Sequence, residues 1–443
     1  MASTYLSRTF STPTSSKIMT FSAWIKRGKI GATGFGGYGL LNTAVNASGN
    51  GTYMQIGGDG NDRLQFSEYT PGETFNFKTN RAFRDTSAWY HIVIAYDSTQ
   101  ATASNRVKFY INGVQETSFQ TANYPSLNLD TELNSAKLHY IGNDANAGGA
   151  YAAYYDGSMS HVHFIDGTAY DATAFGEYDA NGVWKIKTSP SVTYGTNGFF
   201  ILKDGNSVTD QSPNTNNWTV GGGTLTKTED NPSNVFATLN PLANYFQQST
   251  FSNGNNKMVT ATSPYSYNVA TMGISSGKYY WEIKYVSANE NLAHIGVSGK
   301  GETISSTNPL GNNSTDYGYS PDAGGRLYKE GTFVSDSKYL YSIGDIIGIA
   351  IDMDSATKTL KLYQNGTLKS TDTISSTPES GFYFPALGHA YSAGQATFET
   401  NFGNGYFGTT AVASAGTNAS GIGIFEYDVP TGYTALSTKG LNL

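Results

Sequence analysis

Hydrolysis of a glycosidic bond asks for two carboxyl groups facing one cleft a few ångströms apart. The closest approaches in this chain are Glu177-Tyr-Asp179 and Glu426-Tyr-Asp428, where alternation along an extended segment turns both acids to one side. Each pair sits beside Gly or Pro, in what reads as a turn. His161-Val-His163 puts two imidazoles on one strand face, a spacing that can hold a metal, but the sequence offers no third ligand. The other reading is a packed or solvent-facing pair. Gly57-Gly-Asp-Gly-Asn-Asp62 gathers oxygen donors in a flexible loop, as a hard cation or a plain Asx-rich hairpin would require. Gly148-Gly-Ala-Tyr-Ala-Ala-Tyr-Tyr155 supplies flat rings at Tyr151, Tyr154 and Tyr155, which can stack on the apolar face of a pyranose. Asn143, Asp144 and Asn146 lie close by in sequence to bond its hydroxyls. The competing reading packs these tyrosines in a core or an interface.

The elements that must position such groups are strands. The chain has 443 residues, with 51 Gly and 32 Tyr, and only 14% of its residues are charged. An average globular chain is about 25% charged. Tyr, Phe, Thr, Val and Ile favour strands, while Gly and Asn serve turns, so the fold class is all-β. Met19-Thr-Phe-Ser-Ala-Trp-Ile-Lys26 alternates cleanly, with Met19, Phe21, Ala23 and Ile25 on one face. Further strands are expected at 52–56, 63–68, 89–96, 106–113, 137–142 and 157–166. Trp24, Trp89 and Trp281 fall within strand patterns and read as core. Residues 189–250 are turn-rich but carry Phe199, Phe200, Ile201, Leu202, Trp218 and Phe236, and so read as an ordered connector. A second periodic block follows, with Tyr279-Tyr-Trp-Glu-Ile-Lys-Tyr285 its clearest strand. The expected organisation is a sandwich over 1–188, a connector over 189–250, a second sandwich over 251–410, and an edge strand and tail over 411–443. An echo links the halves. Ile92-Val-Ile-Ala-Tyr-Asp97 leads to a strand ending in Asn112-Gly113, and Ile349-Ala-Ile-Asp352 to one ending in Asn365-Gly366.

Several function classes drop out. A net charge of −7 without a Lys/Arg cluster argues against nucleic acid and against an anionic membrane surface. With no cysteine, disulfides, thiolate zinc sites and cysteine nucleophiles are excluded. Residues 1–20 lack a basic region followed by an apolar core, so no signal peptide is expected, nor any membrane insertion.

Phe21-Ser-Ala-Trp-Ile-Lys26, Trp89-Tyr-His-Ile-Val93, Val107-Lys-Phe-Tyr-Ile-Asn-Gly113, Tyr140-Ile-Gly142 and Tyr155-Asp-Gly-Ser-Met-Ser160, in that order, resemble the laminin-G-like, concanavalin-A-like lectin fold. That resemblance implies a two-sheet jelly roll and a calcium site at the sandwich rim, for which Asp59, Asp62 and Asp156 are the candidates. A glucanase of that fold spaces its acids Glu-x-Asp-x-x-Glu. Positions 182 and 431 are Gly and Thr, so both acid pairs fail the pattern and no enzyme is expected. Gly277-Lys-Tyr-Tyr-Trp-Glu-Ile283, Ile295-Gly-Val-Ser298, Tyr317-Gly-Tyr319, Gly344-Asp-Ile-Ile-Gly-Ile-Ala-Ile-Asp352 and Thr400-Asn-Phe-Gly403 resemble the SPRY domain, another sandwich. By that analogy ligands meet loops at one end, here 303–319 with Asn312, Asn313 and Tyr317, and with Tyr328, Tyr339 and Tyr341 lining the same surface. Tyr5-Leu-Ser-Arg-Thr9, Phe236-Ala-Thr-Leu-Asn-Pro-Leu242 and Pro430-Thr-Gly-Tyr433 make the whole tandem similar to a group of bacteriophage virion proteins. This implies a particle-borne tail fibre or appendage protein. Its partners would be other virion proteins, further copies of itself and host cell-surface carbohydrate. The alternatives are a capsid decoration or tail-connecting protein without sugar binding and, third, a polysaccharide-degrading enzyme.

Overall fold

The computed structural model describes residues 4–31, 37–43, 50–143, 154–245, 248–262, 266–300, 310–390 and 394–443. The chain divides into two compact units, Met1–Lys227 and Thr228–Leu443. Both are antiparallel β-sandwiches, as the composition implies.

In the first unit the strands are β1 (Tyr5–Thr9), β2 (Ile18–Arg27), β3 (Tyr38–Thr43), β4 (Gly51–Ile56), β5 (Arg63–Tyr69), β6 (Glu73–Ala82), β7 (Trp89–Asp97), β8 (Val107–Ile111), β9 (Val114–Glu116) and β10 (Phe119–Asn123). They continue with β11 (Leu138–Ile141), β12 (Gly157–Asp166), β13 (Gly176–Tyr178), β14 (Trp184–Ile186), β15 (Phe199–Ile201) and β16 (Thr219–Gly221). Among the described residues they form an eight-stranded sheet, β10-β6-β5-β4-β3-β11-β1-β16, and a six-stranded sheet, β15-β12-β2-β7-β8-β9. Alternation places Met19, Phe21, Ala23 and Ile25 in the core between them, packed on Met54, Phe66, Phe77, Ile92 and Phe109. The opposite face of β2 is also buried. Trp24 is 5% and Lys26 4% exposed. There the β13–β14 hairpin and residues around Phe175 and Tyr194 lie over the sheet, with Val93, Ile165 and Phe200 beneath them. Within the hairpin Trp184 fills a space that only glycine leaves open, since a Cβ on Gly113 would stand 2.4 Å from its ring.

The expected connector is shared out by strand pairing. β15 pairs with β12, and β16 pairs with β1. Leu239–Tyr245 pairs instead with Ser266–Ala270 in the second unit. Its apolar residues give the reason: Phe199 and Trp218 join the first core, and Phe236 joins a cluster of the second.

The second unit pairs a seven-stranded with an eight-stranded sheet among the described residues. Its core is centred on Trp281, Ile283, Ile295, Val297, Ile347 and Ile349. The C-terminal segment is no simple edge strand. Thr434–Ala435 pairs in parallel with Tyr279 and Tyr280 of the long strand Lys278–Ala288. Phe425, Val429 and Tyr433 cover Tyr280 and Ala350 on the outer side of that sheet. The carboxylate of Glu282, fully buried, anchors this cover. It accepts the backbone N–H groups of Glu426 and Tyr427, each at 2.9 Å, and the amide of Asn401 at 3.2 Å.

The sequence echo is a structural one. In the first unit Asn112 N–H donates to His91 O at 2.9 Å, and the Asn112 side-chain oxygen accepts from His91 N–H at 2.7 Å. In the second, Asn365 makes the same two bonds to Ile346, both 2.9 Å. Both asparagines take positive φ, 49° and 47°, as a two-residue Asn-Gly hairpin turn requires.

Candidate functional site

The strand registers of the first unit line up one residue from each strand of the larger sheet. Asn123 of β10 stands opposite Asn76 of β6, and Asn76 opposite Ser67 of β5. Ser67 faces Tyr53 of β4, which faces Asn42 of β3. Asn42 faces Tyr140 of β11, then come Ser7 of β1 and Thr219 of β16. Their strand neighbours Leu6, Leu41, Met54, Phe66 and Phe77 belong to the core. The row therefore lies on the outer face, because side chains alternate along each strand. Eight strands about 4.8 Å apart make it ~34 Å long. Every member carries a hydrogen-bonding group and none a formal charge.

The row has two differently built arms. At the β10–β5 arm, the Glu73 carboxylate accepts from the Asn123 amide at 2.7 Å, the Asn76 amide at 2.8 Å and the Tyr69 hydroxyl at 3.3 Å. Gln65 bridges Ser67 at 3.2 Å and Asn76 at 3.4 Å, and accepts from the Gln55 amide at 3.3 Å. These contacts fix the directions of exposed Asn123 and Glu73 and of half-buried Asn76, Gln65 and Tyr69, over buried Ser67 and Gln55. At the β11–β16 arm the half-buried Tyr5 ring packs edge-on against Tyr140, 5.6 Å between centroids, and stacks near Tyr154 at 6.2 Å. The middle is covered. The Asn42 amide donates to Asn143 O at 2.9 Å, and the Gln55 side-chain oxygen accepts from Gly37 N–H at 3.1 Å.

The predicted residues divide accordingly. Tyr154 belongs to the aromatic arm. Asn143 is 4% exposed, and its buried side-chain oxygen has no hydrogen-bond partner among the described residues. Tyr155 is no open platform: its hydroxyl donates to Lys26 O at 2.8 Å, its ring packs on the core, and burial pushes its pKa well up. Asp144, Asn146 and Tyr151 lie outside the described residues.

The calcium expectation is corrected by an ion pair. Asp62 is 1% exposed and takes the buried Arg27 guanidinium at 2.8 Å on the oxygen that also accepts Gly31 N–H. Its other oxygen faces Arg84 at 3.3 Å. Asp59 sits between Arg63 at 3.4 Å and Lys78 at 3.6 Å. Asp156 uses its backbone carbonyl to accept Gly28 N–H at 2.9 Å. A site already neutralised by guanidinium groups offers a dication little charge. Among the described residues no group of three or more His, Asp or Glu converges as a metal cradle.

His161 and His163 do not share a site either. A β-bulge separates their registers, and His161 takes φ 48°. His163 stacks on Phe200 at 3.9 Å with Tyr194 OH 3.0 Å from Nδ1, and burial holds its pKa well below 6.5. His161 Nδ1 meets Ser160 Oγ at 2.8 Å.

In the second unit the expected ligand residue Tyr317 is fully buried, with its hydroxyl donating to Glu330 at 2.5 Å and accepting Ser375 N–H at 3.0 Å. Tyr339 and Tyr341 are likewise core residues, bonded to Asp372 at 2.9 Å and Ala293 O at 3.0 Å. Their hydroxyls satisfy polar groups at the rim of a tyrosine-rich core, so they are unavailable as a binding surface. Asn313 caps Asp316 at 2.8 Å, and Asn312 remains half-buried.

Fold and row together define a lectin-like sandwich followed by a second sandwich. Residues 2–173 match the model described as the concanavalin A-like lectin/glucanases superfamily. Residues 278–405 match the model described as the SPRY domain. One domain of each kind is therefore found in the chain. No curated protein matches it. Similar solved structures include the SPRY domain of human HERC1, 20% identical, covering 37% of this chain and 96% of that one, with a TM-score of 0.30. A native heptameric SAP-like pentraxin from Limulus polyphemus is 14% identical over 50% of this chain and 90% of that one, TM-score 0.30. The carbohydrate binding module CBM66 from Bacillus subtilis is 10% identical over 37% of this chain and 92% of that one, TM-score 0.25.

Proposed function

We propose that the chain is a non-enzymatic glycan-binding protein of a phage particle, carried in a tail fibre or other appendage. It would hold host-surface carbohydrate on the outer face of the first unit's larger sheet. The observation that carries this reading is the uncharged row of amide, hydroxyl and phenol groups across the eight strands, six of them at least partly exposed and two, Ser67 and Asn42, buried between them. Preset amides bond sugar hydroxyls at one arm, and tyrosine rings offer stacking at the other. The match of residues 2–173 to a superfamily of lectins and glucanases agrees with a carbohydrate ligand. The phage assignment rests on the resemblance of Tyr5–Thr9, Phe236–Leu242 and Pro430–Tyr433 to virion proteins.

Binding rather than hydrolysis fits how the acid pairs are used. Asp179 accepts two N–H groups of its own turn and pairs with Lys185, while Lys187 stands 4.0 Å from Glu177. Glu426 and Asp428 accept the N–H groups of Ala413 and Thr417. Asp179, Glu426 and Asp428 thus each serve backbone N–H groups of the loops around them, and Glu177 faces a lysine.

The test is to titrate host envelope polysaccharide against the purified full chain and to label source virions with antibody-gold. Saturable binding without release of reducing ends, with label on tail appendages, supports the proposal. Label spread over the head with no sugar affinity overturns it in favour of a decoration protein. Release of reducing sugar overturns the non-enzymatic part.

A further inference from the structure

At one end of the first unit, three polar side chains are buried under a loop that has little apolar content of its own. Asp166, Asn134 and Asn197 are 2%, 0% and 0% exposed. Each would be costly there without partners, and each is fully used. The Asp166 carboxylate accepts Thr14 N–H at 2.7 Å, Ser15 N–H at 3.1 Å, the Asn134 amide at 2.7 Å and Asn197 N–H at 3.0 Å. The Asn197 amide donates to Ser11 O at 2.9 Å and its oxygen accepts Ser11 N–H at 2.9 Å. The Asn134 amide also donates to Ser15 O at 2.8 Å. Gly195 is required for this approach, since a Cβ there would lie 1.9 Å from Asp166 O. The backbone of Ser11–Ser15 is thus pinned from below at Ser11, Thr14 and Ser15.

Above the pins lies an open basin of ≈ 450 Å³. Its lining includes Thr12, Thr14, Ser16, Lys17 and Ser135, with Pro13 as apolar surface and Asn134 in the floor. We propose that this basin is a second binding site, for one neutral saccharide unit. The size falls within the range of small-ligand sites, roughly 300–1,000 Å³. The Ser16 and Ser135 hydroxyls donate to Asp130 and to Glu132 O and keep acceptor lone pairs for the O–H groups of a polyol, and the Pro13 ring offers a pyranose face something apolar to lie against. Charge selects against an oxyanion. The one cation of the lining, Lys17, is paired with Asp130. A second carboxylate, Asp166, is buried beneath the lining, so two negative charges lie near one positive. Divalent cations are poorly served, because the Asp166 oxygens are consumed by four donors. The proposal rests on the glycan-binding reading and adds a contact at the end of the sandwich, away from the sheet face. Two weak sites on one particle protein raise avidity without new contacts at either.

Saturation-transfer difference NMR on the full chain, with methyl pyranosides of glucose, galactose and mannose as probes, separates the two sites. In an N76A/N123A background, which disables the sheet row, at least one pyranoside is expected to keep its transfer signal. Adding S16A and S135A is expected to cut that signal by more than about fivefold, the loss of roughly one hydrogen bond's worth of affinity. Both hydroxyls are half-buried and bonded to Asp130 and Glu132 O, so an unchanged melting temperature is the control that the fold is intact. No signal in the N76A/N123A background overturns the basin while leaving the sheet row standing if the unmodified chain binds. A signal indifferent to S16A/S135A also overturns it. Suppression of the signal by inorganic phosphate or sulfate overturns the neutral-ligand assignment.

Discussion

Acid should unfold the first unit before it disturbs the second, because burial lowers four imidazoles in the first, His91, His139, His161 and His163, and two in the second, His294 and His389. His91 lies between the Trp24 and Trp184 rings, at 4.8 and 5.9 Å. The Trp184 indole N–H donates to His91 Nδ1 at 3.0 Å, so the ring proton sits on Nε2, which meets Ser22 Oγ at 2.9 Å. That pattern needs a neutral ring, since a proton on Nδ1 would face the indole N–H. Burial lowers His91 to about 3 and His161 to about 4, and holds His163 well below 6.5. The neighbouring rings add mutual repulsion to His163. Because the folded values lie below the unfolded one, the unfolded chain binds more protons between pH ~6.5 and ~4, so stability falls as pH falls through that window. At pH 5 each neutral imidazole costs about 2 kcal/mol by this linkage. With His139, likewise lowered to about 4 by burial, four of them give ~8 kcal/mol, against a total of ~5–15 kcal/mol for a domain. For a unit of this size that is a drop of roughly 16–32 °C in Tm. Tryptophan fluorescence reads the first unit almost alone, because Trp24, Trp89, Trp184 and Trp218 lie in it and Trp281 in the second. Melting the full chain at pH ~7.5 and ~5 is the assay, with His163→Phe expected to remove about a quarter of the shift. A fluorescence midpoint that moves by less than about 4 °C would refute the reasoning.

Glu282 acts in the opposite sense. Burial raises its pKa from 4.5 to about 7, so its contribution favours the folded second unit below pH ~4.5 and is lost as pH rises towards 7, by about 3 kcal/mol. Glu282→Gln should flatten that dependence. It should also cost roughly 1–3 kcal/mol at pH 5, because an amide nitrogen would then face a backbone N–H of Glu426 or Tyr427. Differential scanning calorimetry of the second transition checks both. Asn76→Ala and Asn123→Ala should each weaken glycan binding about three- to tenfold, with Tm within a degree or two, as measured by isothermal titration. Gly113→Ala should destabilise the first unit by at least ~1–2 kcal/mol in chemical denaturation, since the new Cβ meets the Trp184 ring and the residue holds φ 82°.

Strand content, alternation and the two Asn-Gly hairpins were legible because they depend on neighbours in sequence. The inward face of β2, the core placement of Trp281, and the paired turns at Asn112 and Asn365 all follow from local period and turn chemistry, whereas Trp24 is buried on the other face of β2, against His91. The candidate sites were not legible in the same way. Tyr317 and Tyr155 looked like surface rings because a tyrosine's sequence context does not say whether its hydroxyl will find a carbonyl or carboxylate inside the rim of a sandwich. Asp62 looked like a metal ligand because Arg27, 35 positions earlier, becomes its partner only when β2 approaches the loop before β5.

By itself the sequence determined the class of fold, the period of each strand and the exclusion of thiol chemistry, since these are properties of short stretches and of composition. Tertiary structure alone decided the row from Asn123 to Thr219, because each of eight strands contributes one residue and only the registers between them bring those residues into line. It likewise decided the fate of 189–250, whose apolar residues have no period of their own and take sides according to which core has room for them.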